Sequence, residues 1–395
     1  MNDWPVCQFE TRVACQIWKC RATDFDSLAR LLYGLRRVTQ ARACGSRGAP
    51  DVCGMPTSIV MPNYNHAAYL PASIGAILKQ IRPADEIIIV DDASTDGSLA
   101  VIDQLTLGHT GVRIIRNSER GGVVRALQAG LAAARGELVA FLGADDRVNP
   151  NFLSTTAALL EAHPGAAFAC GRAEVLDGND QLLAERPIVR PSISERFVGP
   201  AEAKDQLRKA DNFFLGAVTL YRRSPLEELG GFDEALGPVS DGLVQRRMAV
   251  RWGYAFTPAV LGVWRIHGAN YSVTSATDLT KLEHSIAVSK AVLTQEPAGL
   301  FPAGYADLFE RRLRFNGARL IVGKKAQPPE VRETICRVIA GSGVDRAALA
   351  AAAYLGPLYW LCVMTWLFIR LRPFALSWLV GEAAIRLKDR MRRAF

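Results

Sequence analysis

Apolar and polar positions alternate along residues 58–142 in segments that predict strands and helices in turn. The segments 70–80, 98–106 and 122–134 have helical patterns. Between them lie short apolar runs of the kind that form buried strands, at Ser58–Pro62, Glu86–Val90, Val112–Arg116 and Leu138–Leu142. This alternation predicts an α/β fold, a mostly parallel sheet with helices on both faces. In such sheets ligands bind where the carboxyl ends of the strands gather.

A second pattern, near the C-terminus, is apolar without alternation. Residues 347–369 carry no formal charge, and as one helix they would measure about 34 Å, enough to cross a bilayer core. Gly356 and Pro357 interrupt this run. A shorter apolar stretch at 373–381 and a basic tail follow it, with tryptophans of the kind that favour membrane interfaces. A membrane span, helices lying in one leaflet and a buried helix of a soluble core all remain open, and we expect membrane contact.

The net charge of +8 is located at the two ends of the chain. Residues 1–55 carry 8 basic and 5 acidic side chains, and residues 370–395 carry 7 basic and 2 acidic ones. The 32 basic and 32 acidic side chains between them cancel. A neutral body offers no basic groove, so we expect no nucleic-acid partner. The basic tail instead suits an anionic membrane surface.

The first 55 residues differ from the rest of the chain. Five of the eight cysteines lie there, without histidines and without the paired spacing of zinc ligands. The segment has no clear strand or helix periodicity outside 25–38. We expect residues 1–55 to form a poorly ordered leader.

Acidic and polar residues follow three of the predicted strands. Asp91 and Asp92 follow the second strand, Asp145 and Asp146 follow the fourth, and a polar loop from Pro62 to His66 follows the first. One such acidic pair alone would favour a turn or a helix N-cap. Two pairs on neighbouring strand ends favour a site for a ribose, a base or an oxygen-preferring cation, Mn²⁺ or Mg²⁺.

From about Pro56 to Thr274 the sequence resembles the family-2 glycosyltransferases, inverting enzymes with the nucleotide-sugar-binding fold called GT-A. Five blocks in the family's order carry the resemblance: SIVMPNYNHAAYLPASIGAIL, DEIIIVDDASTDGS, GLAAARGELVAFLGADD, LGAVTLYRRSPLEELGGFDE and VWRIHGANYS. The resemblance implies a GT-A domain at 56–275. We expect a helical extension at 276–345 and membrane-associated helices with the basic tail at 346–395.

The resemblance implies a role for each matching residue on the nucleotide side. Pro62 and Tyr64 would line the nucleotide pocket, with the Tyr64 ring against the base. Asp92 or its neighbour Asp91 would bind the base or the ribose.

On the metal side, the resemblance matches Asp145 to the last acid of the family's Asp-x-Asp motif, and Asp146 could support the metal or the sugar. His267 is a candidate ligand for the metal or the diphosphate, and a structural histidine is the alternative. The chain departs from the family at Gly143, which stands where the motif has its first acid.

On the acceptor side, Gly216 resembles the loop that borders the donor sugar. Asp241 would be the general base, since an inverting transfer needs one carboxylate to take the proton of the attacking hydroxyl. A helix N-cap is the alternative role for Asp241. Ser240 stands where the family carries a glutamate.

The implied function is hexosyl transfer from a nucleotide-diphosphate sugar to a glycan or lipid-linked acceptor, in cell-surface polysaccharide synthesis. Because nucleotide sugars are cytosolic, we expect the enzyme at the cytoplasmic face of the cell membrane. Two alternatives remain open. One is a membrane-tethered binding module with weak catalysis, which Gly143 and Ser240 favour. The other is a sugar-nucleotide pyrophosphorylase, which would carry a Gly-rich basic loop after the first strand.

Overall fold

The computed structural model describes residues 54–376, apart from 188–189, 212, 268–269 and 324, together with residue 380. The leader predicted for residues 1–55 lies almost wholly outside the described residues, as does the basic tail beyond residue 380. The structure therefore bears on the predicted transferase domain and on the helices that follow it.

The described chain contains one sheet of ten strands. The strands are β1 (Thr57–Asn63), β2 (Glu86–Asp91), β3 (Val112–Arg116), β4 (Leu138–Phe141), β5 (Arg147–Val148), β6 (Phe168–Leu176), β7 (Leu182–Arg186), β8 (Arg196–Val198), β9 (Thr219–Arg222) and β10 (Tyr254–Arg265). Their order in the sheet is β3-β2-β1-β4-β9-β6-β10-β5, with β7 beside β6 and β8 beside β10. All four strands predicted from the apolar runs are confirmed.

The sheet is mixed, so the prediction of a mostly parallel sheet holds only for the block β3-β2-β1-β4. In that block all three pairings are parallel. Beyond it, β9 lies antiparallel between β4 and β6, while β10 is parallel to β6. Two successive antiparallel pairings restore the direction, so β1, β2, β3, β4, β6 and β10 all run the same way. Their carboxyl ends consequently meet at one edge of the sheet.

Thirteen α-helices accompany the sheet in the described residues. They are α1 (Leu70–Leu78), α2 (Ser98–Thr106), α3 (Val123–Ala133), α4 (Phe152–Ala162), α5 (Pro200–Lys209), α6 (Arg223–Glu228), α7 (Ser240–Trp252), α8 (Tyr271–Thr277), α9 (Leu279–Gln295), α10 (Tyr305–Ile321), α11 (Pro329–Val338), α12 (Gly343–Ala352) and α13 (Tyr359–Leu371). The predicted helices at 70–80, 98–106 and 122–134 are α1, α2 and α3.

Two hydrophobic cores lie on opposite faces of the sheet, as predicted. Successive residues of β1 point to opposite faces, so Ile59 and Met61 pack with α1, α2 and α4, while Val60 packs with α3, α5 and α7. Both faces of the central strands are therefore buried by helices. These strands are therefore open to a ligand at their ends and in the loops that follow them.

A third core joins the helices that follow the sheet. It includes Leu282 of α9, Phe315 of α10, Ile335 of α11, Leu349 of α12 and Val363 of α13. The predicted division between 345 and 346, which stays a prediction, falls within α12. The apolar run 347–369 is not one helix, because α12 ends at Ala352 and a 3₁₀ turn at Gly356–Leu358 separates it from α13. In the part of the chain that the structure describes, no helix combines the length and apolar character needed to cross a bilayer.

The contact between α3 and β1 requires a glycine at position 130. A Cβ atom there would lie 2.1 Å from Val60 Cγ1, whereas a Cβ at Gly75 on α1 would meet nothing within 4 Å.

We predict that Gly130→Ala lowers the free energy of unfolding by about 1–3 kcal/mol through overpacking. Gly75→Ala is the matched control and is expected to be neutral or to stabilise by up to about 1 kcal/mol. Urea unfolding of both variants measures this, and equal effects would refute the packing argument.

Candidate functional site

The Asp92 carboxylate fixes the loop that follows β3. Its Oδ1 accepts hydrogen bonds from Asn117 Nδ2 at 2.9 Å and from the Gly121 amide at 2.8 Å, and its Oδ2 accepts from the Gly122 amide at 2.7 Å. Gly122 directly precedes α3. Asp92 is 3% exposed. It therefore connects the end of β2 to the start of α3, in the part of the site predicted to bind a nucleotide.

The Asp91 carboxylate is held by the last residue of β1 and by its own loop. Asn63 Nδ2 donates to Asp91 Oδ1 at 2.7 Å, and the Ser94 amide donates to Asp91 Oδ2 at 3.0 Å. Both Asn63 and Asp91 are buried. Asp91 thus joins the ends of β1 and β2, and its oxygens already have partners within the chain.

Pro62 and Tyr64 lie at the carboxyl end of β1, as the sequence predicted. Pro62 is opposite Val90 of β2 in the parallel register. The Tyr64 ring is half-buried, and the guanidinium carbon of Arg120 lies 4.1 Å from its centroid. The sequence pattern predicts no role for Arg120, yet this side chain stacks on the ring that was predicted to contact a base.

Asp145 is the meeting point of the loops that follow β4 and β10. His267 Nε2 lies 3.0 Å from Asp145 Oδ2, and Asn270 Nδ2 donates to the same oxygen at 3.0 Å. The Asn270 side chain also accepts a hydrogen bond from the His267 amide. The structure therefore brings together Asp145 and His267, the two metal ligands predicted from the sequence, and adds Asn270 as their common partner.

His66 is the third member of this cluster, and the sequence assigned it no function. His66, Asp145 and His267 each offer a ligand atom, and these atoms lie within 4.8 Å of one another. His66 Nδ1 is buried without a hydrogen-bond partner. Burial is the largest influence on His66 and lowers its pKa, which favours the neutral imidazole that binds metals. The donor set and the unpartnered nitrogen fit a divalent cation.

Aromatic stacking fixes the orientation of the His267 ring. Tyr69 stacks on it with the ring centroids 5.2 Å apart and the planes inclined by 17°. The guanidinium carbon of Arg265 lies 5.0 Å from the centroid of the Tyr69 ring. Arg265 also forms an ion pair with Asp180. Arg265 thus supports the cluster through Tyr69, and its charge is shared with a carboxylate of the chain.

Asp146 lies beside this cluster but is anchored to the backbone. Its Oδ1 accepts a hydrogen bond from the Arg265 amide at 2.9 Å. Burial and the neighbouring charge of Asp145 raise the pKa of Asp146 well above its usual range. A carboxyl group held in this way is suited to donate a hydrogen bond when protonated.

Asp241 and Gly216 are in direct proximity, as their predicted roles require. A Cβ atom at position 216 would lie 2.8 Å from Asp241 Oδ2, so only glycine permits this approach without displacing the carboxylate. Burial raises the pKa of Asp241. Asp241 lies in the first turn of α7, one residue inside the helix, and Val239 occupies the N-cap position. The alternative role of Asp241 as an N-cap is therefore wrong for this helix.

A buried ion-pair network supports the start of α7. Arg246 donates from Nη1 to the Gly242 carbonyl at 2.6 Å and from Nε to Asp211 Oδ2 at 3.2 Å. The same Asp211 oxygen pairs with Arg312 Nη1 at 2.9 Å and accepts from the Tyr305 hydroxyl at 2.9 Å. Arg312 Nε donates to the Pro373 carbonyl at 2.6 Å. This network joins the helix that carries Asp241 to α10 and to the segment after α13.

This chain matches a glycosyltransferase family model and proteins described as glycosyltransferases. Residues 58–230 match the family model described as glycosyl transferase family 2. An uncharacterised glycosyltransferase of Nostoc sp. is 32% identical over 233 residues, which cover 58% of this chain and 70% of that protein. The O-antigen biosynthesis protein RfbC of Myxococcus xanthus is 30% identical over 179 residues, which cover 45% of this chain and 13% of that protein.

Two solved structures share the fold. TarS of S. aureus in complex with UDP-GlcNAc aligns with a TM-score of 0.53 at 16% identity, over 76% of this chain and 92% of that one. The mannosyltransferase PcManGT from Pyrobaculum calidifontis, in complex with GDP-Man and Mn²⁺, aligns with a TM-score of 0.53 at 22% identity. The alignment covers 93% of this chain and 97% of that one. At sequence identities this low, the structural similarity shows the fold alone.

Proposed function

Because the chain belongs to glycosyl transferase family 2, we propose that it moves a hexosyl group from a nucleotide-diphosphate donor to a glycan or lipid-linked acceptor, with inversion at the anomeric carbon. Membership of this family gives no support to the pyrophosphorylase alternative. The observation that carries the proposal is the approach of Asp241 to Gly216 at the start of α7. It brings the half-buried carboxylate of Asp241 next to a residue that has no side chain.

The position of α7 supports this assignment. The helix packs on the sheet and leads directly into β10, so it runs opposite to that strand. Its first turn therefore faces the edge where β1, β2, β4 and β10 end. Asp241 consequently belongs to the same edge as Tyr64, Asp92 and the cluster around Asp145.

In the proposed reaction Asp241 takes the proton of the acceptor hydroxyl as that oxygen forms its bond to the anomeric carbon. The bond between the anomeric carbon and the diphosphate oxygen breaks, and its electron pair leaves with the nucleoside diphosphate. Attack from the face opposite the leaving group inverts the configuration. The hydrogen bond from the Gly242 amide to Asp241 Oδ1, at 2.7 Å, holds the carboxylate in place for this transfer.

On the donor side, Pro62, Tyr64 and the Asp91–Asp92 pair would bind the nucleoside. Asp145 and His267 would hold a divalent cation, Mn²⁺ or Mg²⁺, which when bound neutralises charge on the diphosphate. Asp146, next to Asp145 and close to the donor, would bind the sugar. Solved structures of the same fold with UDP-GlcNAc and with GDP-Man and Mn²⁺ support a nucleotide-sugar donor.

For the acceptor we propose a cell-surface polysaccharide or its lipid-linked precursor, with the enzyme at the cytoplasmic face of the cell membrane. The similarity to an O-antigen biosynthesis protein supports the class of acceptor. Support for the location comes from an apolar patch on the turn between α12 and α13 and on the first turn of α13. It consists of Tyr354, Leu355, Leu358, Trp360 and Leu361, which are 91%, 45%, 57%, 44% and 56% exposed.

Helix α13 is apolar on both its faces. Tyr359, Val363, Leu367 and Leu371 face the third core, whereas Trp360, Leu361 and Ile369 are exposed. A helix that is apolar all round favours burial on every side. The exposed Arg370 and Arg372 and the basic tail beyond make an anionic lipid surface the partner that we propose for the outer face.

We predict that Asp241→Asn lowers the rate of sugar transfer about 10²–10⁴-fold, the usual contribution of a general base. The base acts only when ionised and its pKa is raised by burial. The wild-type rate should therefore fall with decreasing pH at a value above the ordinary aspartate range, and the variant should lack this acid limb. Transfer of radiolabelled sugar across pH 4–9 is the measurement.

Asp103→Asn is the control for this experiment, because Asp103 is half-exposed on α2 and pairs only with Arg116 among the contacts described. Equal rates for wild type and Asp241→Asn would contradict the assigned base. If neither turned over any nucleotide sugar with Mn²⁺ or Mg²⁺ present, the weakly catalytic binding module would be favoured instead.

We also predict that the double variant Leu358→Ser/Leu361→Ser binds vesicles of phosphatidylglycerol and phosphatidylcholine at least about tenfold more weakly than the wild type. Removing two leucines from a lipid contact costs roughly 3 kcal/mol. Leu107→Ser, at a position 84% exposed after α2, is the control. Vesicle cosedimentation measures binding, and undiminished binding by the double variant would exclude this patch as the contact.

A further inference from the structure

Position 143 faces the acidic pair but supplies no ligand. A Cβ atom there would lie 2.8 Å from Asp145 Oδ1 and 3.0 Å from Asp146 Oδ2. A side chain carried at this position would therefore meet both carboxylates of the pair. With glycine in its place, a cation held by Asp145 and His267 has one protein ligand fewer.

His66 lies where a replacement ligand is needed. It reaches the cluster from the loop after β1, and its ligand atom lies within 4.8 Å of those of Asp145 and His267. Its Nδ1 atom is buried and has no hydrogen-bond partner. Buried polar atoms are rarely left unpaired, and an ion bound at the atom is a common reason for an unpaired one.

The loop that carries His66 is fixed on both sides of the residue. The Asn65 amide donates to Ser94 Oγ at 3.0 Å, and the Ala67 amide donates to Asp96 Oδ2 at 2.9 Å. The His66 ring also meets the His267 ring edge-on, with centroids 5.9 Å apart. The imidazole is thus held against the cluster before any ligand arrives, as a metal site requires.

We propose that His66 is the third protein ligand of the cation, in place of the missing carboxylate at position 143, and that the site therefore takes Mn²⁺ in preference to Mg²⁺. Two imidazoles and one carboxylate suit first-row transition ions, whereas Mg²⁺ prefers an all-oxygen set. Asn270, which donates to Asp145 Oδ2, orients the carboxylate. This inference rests on the proposed metal-assisted transfer, whose cation it specifies.

The test is a titration of the full chain with Mn²⁺ alone, in which the electron paramagnetic resonance signal reports the concentration of free Mn²⁺. A second titration adds Mg²⁺ as a competitor. The wild type is expected to bind Mn²⁺ at least about tenfold more tightly than Mg²⁺. His66→Ala should weaken Mn²⁺ binding about tenfold or more. His109→Ala, which changes an exposed histidine after α2, should leave it unchanged.

A second variant keeps the test decisive if His66→Ala is poorly folded. His66→Asn keeps a polar side chain at this position but offers an amide oxygen in place of the imidazole nitrogen, so it should reduce the preference for Mn²⁺ over Mg²⁺. Equal binding of the two metals by the wild type would overturn the inference. Full Mn²⁺ affinity in His66→Ala would overturn it equally.

The same experiments distinguish a failure of the proposed metal site from a failure of the proposed transferase function. Mn²⁺ binding through His66 without turnover of any nucleotide sugar would leave the metal site standing and remove the transferase mechanism. Metal-dependent transfer with unchanged Mn²⁺ binding in His66→Ala would do the reverse.

Discussion

The common direction of six strands is the constraint on which the site depends. Because β1, β2, β3, β4, β6 and β10 run the same way, loops that are far apart in sequence leave the sheet at one edge. The contact of Asp145 with His267, 122 residues later, exists only because β4 and β10 end together there. Helices cover both faces of the central strands, so a ligand reaches these strands at their ends. The antiparallel strand β9 makes this arrangement possible by spacing β4 and β6 without reversing them.

Hydrogen bonds between loops then convert proximity into a fixed geometry. Asp91 joins the ends of β1 and β2, Asp92 joins β2 to α3, and Asp145 joins the ends of β4 and β10. Each carboxylate accepts hydrogen bonds from a segment that lies far from it in the sequence. Removing one of these acids would therefore loosen the segments that it joins, whatever its part in the proposed reaction.

Sequence patterns predicted β1 to β4 almost to the residue, because each is a short apolar run between helical segments. They did not predict β5 to β10, and they could not predict the antiparallel direction of β9, because an apolar run indicates burial and not direction. The structure brings Asp145 next to His267, and Gly216 next to Asp241. His66 was missed, although it follows β1 in the same loop as Tyr64, because only the fold shows that this loop turns back to β10. Arg120 was missed because its partner Tyr64 is 56 residues away.

The C-terminal helices are tied to the catalytic half of the chain through buried charge. Asp211 connects Arg246 beneath Asp241 with Arg312, and Arg312 contacts the backbone after α13. A buried network of this kind is costly to break, because each lost partner leaves an uncompensated charge. Buried contacts therefore link the segment after α13 to the helix that carries the proposed base.

The central claim is that the strand-end edge binds a nucleoside diphosphate together with a divalent cation. Thermal unfolding of the full chain with a panel of nucleoside diphosphates, each with and without Mn²⁺, tests this claim most directly. Because a ligand that binds only the folded state raises its stability, one nucleotide should raise the melting temperature clearly more with Mn²⁺ than without it. If no nucleoside diphosphate stabilised the protein, or if all did so equally and without the metal, the claim would be contradicted.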